Sequence, residues 1–381
     1  MDLKTLRHLF RNHKEQSLFG RYIFNGHTLP LIKKHSINFK TETIGMSVLG
    51  EPIHSITIGN GPKKILMWSQ MHGNESTTTK AVFDLCNVFA DSNDTSIKDI
   101  LNNCSIAMIP ILNPDGAKYY TRTNAKDIDL NRDAIDLSQP ESVALRAYFD
   151  NFKPNICFNL HGQRTIFSAG NKNHPATVSF LAPAQDQACT ITATRKNAME
   201  LIVKMDENLQ VQIPNQVGVY DDVFNLNCVG DTFQSLGVPT VLFEAGHFAK
   251  DYDREVVREF IFQSLLVAIH HGASHDLTGK NHESYLKIPQ NQKLFYDIII
   301  RNALVDTEIC DIAVQYQETL KKQSIEFVPI VDKIFDLKGF FGHKEVDANG
   351  CAVLTTNKQV LYEGYANDFV LLNNELFSLK L

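Results

Sequence analysis

Between about residues 40 and 275, short apolar runs alternate with stretches whose apolar residues recur at helical spacing. This alternation constrains the fold more than any other feature of the chain. KILMWSQ (64–70), the start of CSIAMIPILNPDG (104–116), PNICFNLHG (154–162) and PTVLFEAGHF (239–248) read as strands. STTTKAVFDLCNVFA (76–90), SVALRAYFDNF (142–152), residues 190–209 and DREVVREFIFQSLLVAIHHG (253–272) read as helices. Strands that are apolar throughout are buried on both faces, which requires a largely parallel sheet covered by helices. The expected class is α/β: a mixed, mainly parallel sheet flanked by helices over residues 41–278, with residues 1–40 as an N-terminal extension. Beyond residue 278, FYDIIIRNALV, IEFVPIVDKIF, CAVLTT, QVLYEGY and DFVLLNN are short β-type runs separated by turns, so 279–381 is read as a small β-rich domain.

Composition narrows the function mainly by exclusion. The net charge is −6 with no long basic run, which gives no footprint for nucleic acid or an anionic membrane. No run approaches the ~18 apolar residues of a membrane span. The opening MDLKTLRHLFRNHKEQSLFG has no uninterrupted apolar core and no small-residue cleavage site, so no secretory signal is expected. The seven cysteines are scattered, with no CxxC pair. They read as free thiols in a reducing, cytoplasmic setting.

Chemistry-bearing residues collect where the strands end. His72 and Glu75 follow the first strand, the turn Asn113–Gly116 the second, His161 ends the third and Glu244 the last. Ligands of open α/β sheets bind outside the carboxyl ends of strands, so residues far apart in sequence can meet there. Two histidines and a carboxylate form an open zinc set with a fourth position for water, whose pKa the metal lowers to about 7. Glu244 is placed to take that water's proton and pass it to a leaving amine. Arg122 and Arg132, in TRTNAKDIDLNRD, supply one cation for an oxyanion and one, with Asn131, for a substrate carboxylate.

HGNE (72–75), NPDG (113–116), Arg122, DLNR (129–132), NLHG (159–162) and FEAG (243–246) follow one another in an order that resembles the zinc carboxypeptidases of the funnelin type. The resemblance covers roughly residues 40–275. It implies one zinc ion per chain bound by His72, Glu75 and His161, carbonyl polarisation by Arg122, a grip on the terminal carboxylate by Asn131 and Arg132, and Glu244 as general base and acid. Tyr220 is the nearest match to the family's substrate-capping tyrosine. The implied substrate is a peptide with a free carboxylate. Aspartoacylase and succinylglutamate desuccinylase-type enzymes share HxxE and an Asn-Arg pair, which keeps an N-acyl amino acid or a cell-wall-type peptide open as the substrate. Other readings of single residues are plainer. Arg132 beside Asp129 and Asp133 is also a candidate surface ion pair, Asp221–Asp222 a solvated turn, and His270, His271 and His275 the cationic end of a helix. Gly73 is read as the hinge of a tight turn.

Overall fold

The computed structural model describes all 381 residues, and the apolar runs become the interior of one eight-stranded sheet. In chain order the elements are helices α1 (Leu3–His13) and α2 (Asn25–His35), strands β1 (Lys40–Met46), β2 (Pro52–Ile58) and β3 (Lys63–Ser69), helices α3 (Thr77–Asp91) and α4 (Thr95–Asn103), and strand β4 (Cys104–Ile109). Helices α5 (Pro114–Tyr119) and α6 (Pro140–Phe152), strands β5 (Ile156–Gly162), β6 (Phe167–Ala169) and β7 (Val178–Leu181), and helix α7 (Ala193–Gln210) follow. Strand β8 (Val217–Val219), helix α8 (Val229–Ser235), strand β9 (Thr240–Ala245) and helix α9 (Glu255–Ser274) come next. Contacts divide the chain into a first unit, residues 1–163 and 176–291, and a second, residues 164–175 and 292–381.

The sheet of the first unit has the order β1-β2-β4-β3-β5-β9-β7-β8. Pairs β3–β4, β3–β5, β5–β9 and β7–β8 are parallel, while β1–β2, β2–β4 and β7–β9 are antiparallel. The sheet is therefore mixed, with its parallel core at β4-β3-β5-β9. Side chains of the central strands alternate between two apolar clusters. Ile65, Met67, Phe158 and Phe243 face the layer that contains α3, α7 and α9, whereas Leu66, Trp68 and Cys157 face α6 and α8. Both faces are dry, which is why these strands could be read as continuous apolar runs.

Residues 1–40 form part of the first unit's core. Leu6, Leu9 and Phe10 of α1 are buried in the larger cluster, and the Phe10 ring lies 5.4 Å from that of Phe262. Beneath them Arg258 and Asp84 form a fully buried ion pair, with an Nη2–Oδ1 distance of 2.6 Å. The same guanidinium donates to the carbonyls of Leu18 and Glu15, so it ties the N-terminal segment to α9. No helix is long and apolar enough to cross a membrane.

The second unit is built from β-strands. Strands β6 and β10 (Asn291–Lys293) form a ribbon. Strands β11 (Phe295–Val305), β12 (Glu308–Lys321), β13 (Ser324–Phe335) and β14 (Phe341–Asp347) form a sheet in the order β13-β12-β11-β14. Strands β15 (Val353–Leu354), β16 (Phe369–Leu372) and β17 (Glu375–Ser378) form a third sheet. Arg301 holds this unit together by bonding the carboxylates of Glu345 and Asp311 and the carbonyls of Leu337 and Phe340.

Removing one member of a buried pair leaves its partner short of counter-charge, and for Arg258 only Glu255, 3.1 Å from Nη1, would remain. Asp84→Ala is expected to cost about 3–5 kcal/mol of stability. Urea denaturation measures it, and a loss below about 1 kcal/mol would show that the Arg258 charge is satisfied without Asp84.

Candidate metal centre

His72 and Glu75 stand in the loop after β3, and the sequence determines how that loop turns. Gln70 adopts a left-handed backbone conformation, with φ of 45°. Its amide nitrogen donates to the carbonyls of Ile23 and Gly73, and its amide oxygen accepts from Thr79. The Glu75 N–H then closes the turn on the His72 carbonyl at 3.1 Å. Gly73 is required for a reason other than a hinge. A Cβ at this position would lie 1.9 Å from the Gly116 carbonyl carbon and 2.2 Å from the Ala117 nitrogen. The glycine is needed because the start of α5 packs directly on this backbone. Asn113 locks the other side, capping α5 through Gly116 N–H and donating to the Met71 carbonyl.

These loops bring three donors together. His72 Nδ1 is 2.9 Å from Glu75 Oε1, His161 Nδ1 is 3.0 Å from Glu75 Oε2, and the two ring nitrogens are 3.1 Å apart. His72, Glu75 and His161 are the one group of three or more potential metal-binding side chains in the chain, with ligand atoms within 4.8 Å of one another. Two imidazole nitrogens and a carboxylate match the donor chemistry of an open zinc site, and donors ~2.0–2.2 Å from a common ion stand about this far apart. The residues present therefore fit zinc.

Electrostatics follow from burial and from these contacts. Burial opposes ionisation of Glu75, yet the imidazoles of His72 and His161 hold its carboxyl far below the usual range. Burial also works against a charged His72, but Glu75 and Asp129 raise its pKa above the ordinary value. Burial lowers that of His161. Asp129 accepts from His72 Nε2 at 3.0 Å, which fixes the ring so that Nδ1 faces the donor group. The sequence reading treated Asp129 only as a neighbour of Arg132, although its place in DLNR is the signal that was available.

The remaining candidates lie around this group. Glu244 pairs with His161 in the β5–β9 register and with Ser179 across β7. Its Oε2 is buried without a hydrogen-bond partner. Burial, reinforced by the Glu75 charge, pushes its carboxyl well above the ordinary value, while Arg122 and Arg254 pull the other way. Arg122 bonds Asp129 through Nε and Nη2 at 3.2 and 3.1 Å and reaches Glu75 at 3.5 Å. Tyr220 donates to Gln163 Oε1 at 2.8 Å. Burial and the charges of Glu244 and Glu75 raise its phenol. Arg254, which the sequence reading did not single out, buttresses the base of the site by donating to the carbonyls of Ala245 and Gln163.

Asn131 and Arg132 form the flank. Asn131 Oδ1 accepts from Val229 N–H at 3.0 Å, and Arg132 Nη1 lies 3.1 Å from Cys228 Sγ. Arg132 forms no ion pair. Asp133 is occupied by Ser138 and Gln139, and Asp129 by His72, Arg122 and the Asn131 N–H. The ion-pair reading of Arg132 is thus replaced by a guanidinium with no carboxylate of its own. The Asp221–Asp222 pair is divided: Asp222 pairs with Arg195, and Asp221 accepts from Val223 N–H. His271 bonds Glu200, so the histidines ending α9 form no metal group.

Residues 30–212 match the family model described as zinc carboxypeptidase. Carboxypeptidase SOL1 of Arabidopsis thaliana is 30% identical over 138 residues, covering 32% of this chain and 28% of that protein. Gamma-D-glutamyl-L-diamino acid endopeptidase 1 of Lysinibacillus sphaericus is 38% identical over 80 residues, covering 19% of this chain and 20% of that protein. The aligned segments thus span less than a third of these relatives' lengths. The solved carboxypeptidase A of Helicoverpa armigera has the same fold, with a TM-score of 0.52 at 14% identity, covering 71% of this chain and 80% of that one.

Asp129→Ala is expected to weaken zinc binding about 10- to 100-fold by releasing the His72 ring. Titration against a competing chelator measures this, and an unchanged affinity would remove Asp129 from the site's support.

Proposed function

Starting from residues 30–212 as a zinc carboxypeptidase-family segment, we propose that the chain is a zinc-dependent metallocarboxypeptidase that hydrolyses a peptide or amide bond next to a free carboxylate. His72, Glu75 and His161 hold one zinc ion. The observation that carries this reading is the pairing of His161 with Glu244 in the parallel β5–β9 register. It sets a carboxyl whose Oε2 is buried without a hydrogen-bond partner next to the three-donor group, although Glu244 lies outside the matched segment.

When bound, zinc supplies Lewis acidity, which acidifies water and polarises a carbonyl. The chain's own residues do the rest. Glu244 accepts a proton from the attacking water and returns it to the leaving amine, a task that suits a carboxyl raised by burial. Arg122 reaches toward the donor group from a half-exposed position and donates to the developing oxyanion. Arg132, which has no carboxylate partner in the protein, takes the substrate's carboxylate in a bidentate grip with Asn131 alongside. Tyr220 closes over the substrate from the β8–α8 loop. Seven unpaired cysteines support a reducing, cytoplasmic setting.

A second reading is an amidase acting on a cell-wall-type peptide or an N-acyl amino acid; the similarity to a gamma-D-glutamyl-L-diamino acid endopeptidase of Lysinibacillus sphaericus is consistent with its peptide form. It uses the same residues in the same roles. Glu244→Gln is expected to retain zinc and to lose about 10²–10⁴ in kcat. Metal analysis and steady-state kinetics on C-terminally free peptides and N-acyl amino acids measure both effects. Near-normal turnover in this variant would refute the mechanism, and the preferred substrate series decides between the two readings.

A further inference from the structure

Between α1 and α2, residues 14–24 have no regular secondary structure, and two sets of anchors hold them. The first set is the ion network at the start of α9. Arg258 donates to the carbonyls of Glu15 and Leu18 at 2.9 and 2.7 Å, and Asp84 accepts from the Glu15 N–H. Glu255 pairs with Lys14 at 2.8 Å and accepts from the Gly20 N–H. The second set is the loop that carries two of the metal donors. The Arg21 carbonyl accepts from Ser76 Oγ, and the Ile23 carbonyl accepts from Gln70 Nε2 at 3.0 Å. Gln70 and Ser76 bracket His72 and Glu75 in the chain, and the same Gln70 nitrogen donates to the Gly73 carbonyl within the loop.

Lys80 joins the two sets. Its side chain is fully buried, and its ammonium bonds the Glu255 carboxylate and the Asp253 carbonyl. Its backbone N–H bonds the Ser76 carbonyl in the first turn of α3. A buried ammonium requires that partner. Ser76 is therefore fixed to the start of α9 by two routes, one through α3 and one through the carbonyls of residues 14–24. Midway along the segment Phe19 is 64% exposed, while Leu18 and Gly20 on either side are buried. The segment is thus a strap lying at the surface, tied down on one side by α9 and on the other by the metal-binding loop.

The strap and a bound ion act on the same few residues. The carbonyls of Arg21 and Ile23 hold the loop in the shape that brings His72 and Glu75 to His161, and an ion shared by those three donors holds the loop in that shape as well. Two events that favour one conformation favour each other, and the coupling is reciprocal. We propose that residues 14–24 are a metal-sensing strap: zinc binding at the His72–Glu75 loop and closure of the strap on α9 are one coupled event, and loss of the ion releases the segment around Phe19. This rests on the zinc-site reading of His72, Glu75 and His161. The metal-loaded and metal-free chains then differ in a backbone segment that is closed in one and open to solvent in the other.

The test uses the full chain. Hydrogen exchange of residues 14–24 is followed by mass spectrometry with zinc bound and after its removal by a chelator, and zinc affinity is measured by chelator competition. Zinc is expected to slow exchange of the strap at least about fivefold, the lower end of ordinary couplings between sites. Ser76→Ala should weaken zinc by a similar factor and abolish the zinc-dependent protection, and Ser76→Thr, which keeps the hydroxyl, should restore both. Glu255→Gln acts from the far anchor and should also weaken zinc. A merely structural contact would lower the urea midpoint and leave the zinc affinity of the folded protein unchanged, so unchanged affinity in both Ser76→Ala and Glu255→Gln would overturn the proposal. Zinc bound by the unmodified protein with equal exchange in the two states would overturn the strap while leaving the metal centre intact. No zinc retained by the unmodified protein would refute the metal centre itself, and the strap with it. Should either variant fail to fold, the exchange comparison on the unmodified protein decides the matter.

Discussion

Parallel pairing of β3, β5 and β9 is the constraint on which the rest depends. Strands running the same way end on the same edge, and their register sets Ser69 beside Leu160 and His161 beside Glu244. The His72, Glu75 and His161 donors and the Glu244 carboxyl therefore gather at one edge of the sheet, His161 and Glu244 on the strands themselves and His72 and Glu75 in the short loop that follows β3. β3 and β5 are dry on both faces and β9 on one, so the edge is held by the core itself. Polar residues at the strand ends meet a desolvated setting that strengthens every charge interaction among them.

Support for that edge comes from loops that interlock. The backbone of Gly73 rests on α5, Asn113 bonds back to Met71, and Asp129 reaches His72 from the segment that also carries Asn131 and Arg132. One carboxylate thus orients the His72 ring of the three-donor group and restrains Arg122 at the same time. This coupling makes the separate motifs of the sequence a single mechanical assembly.

How much was legible in advance follows from the same physics. β3 and β5 were readable because burial on both faces leaves an unmistakable apolar run, and β9 because TVLF is apolar although one of its faces is only partly buried. β1, with its half-exposed KTETIGM, offered no such run, and neither did the short β7 and β8. β12 was missed because its buried centre is flanked by exposed polar ends. His72, Glu75, His161 and Glu244 could be picked out as polar endings of apolar strands, and the fold brings the first three within reach of one ion. The roles of Asp129 and Arg254 depend on contacts between residues far apart in sequence, and no local pattern encodes those. Gly73 shows the limit in miniature: the need for glycine was readable, but its cause was a neighbouring helix and not the turn.

The division of the chain has a consequence for the order in which it is made. Segment 164–175 belongs to the second unit, yet it is synthesised in the middle of the first. Ser168 must wait for Gln292, 124 residues later, before their bond can form. At ribosomal speeds of ~5–20 residues per second that wait is on the order of ten seconds. Over that interval β6 is a strand without its partner, and the nascent polypeptide has to keep it from pairing elsewhere.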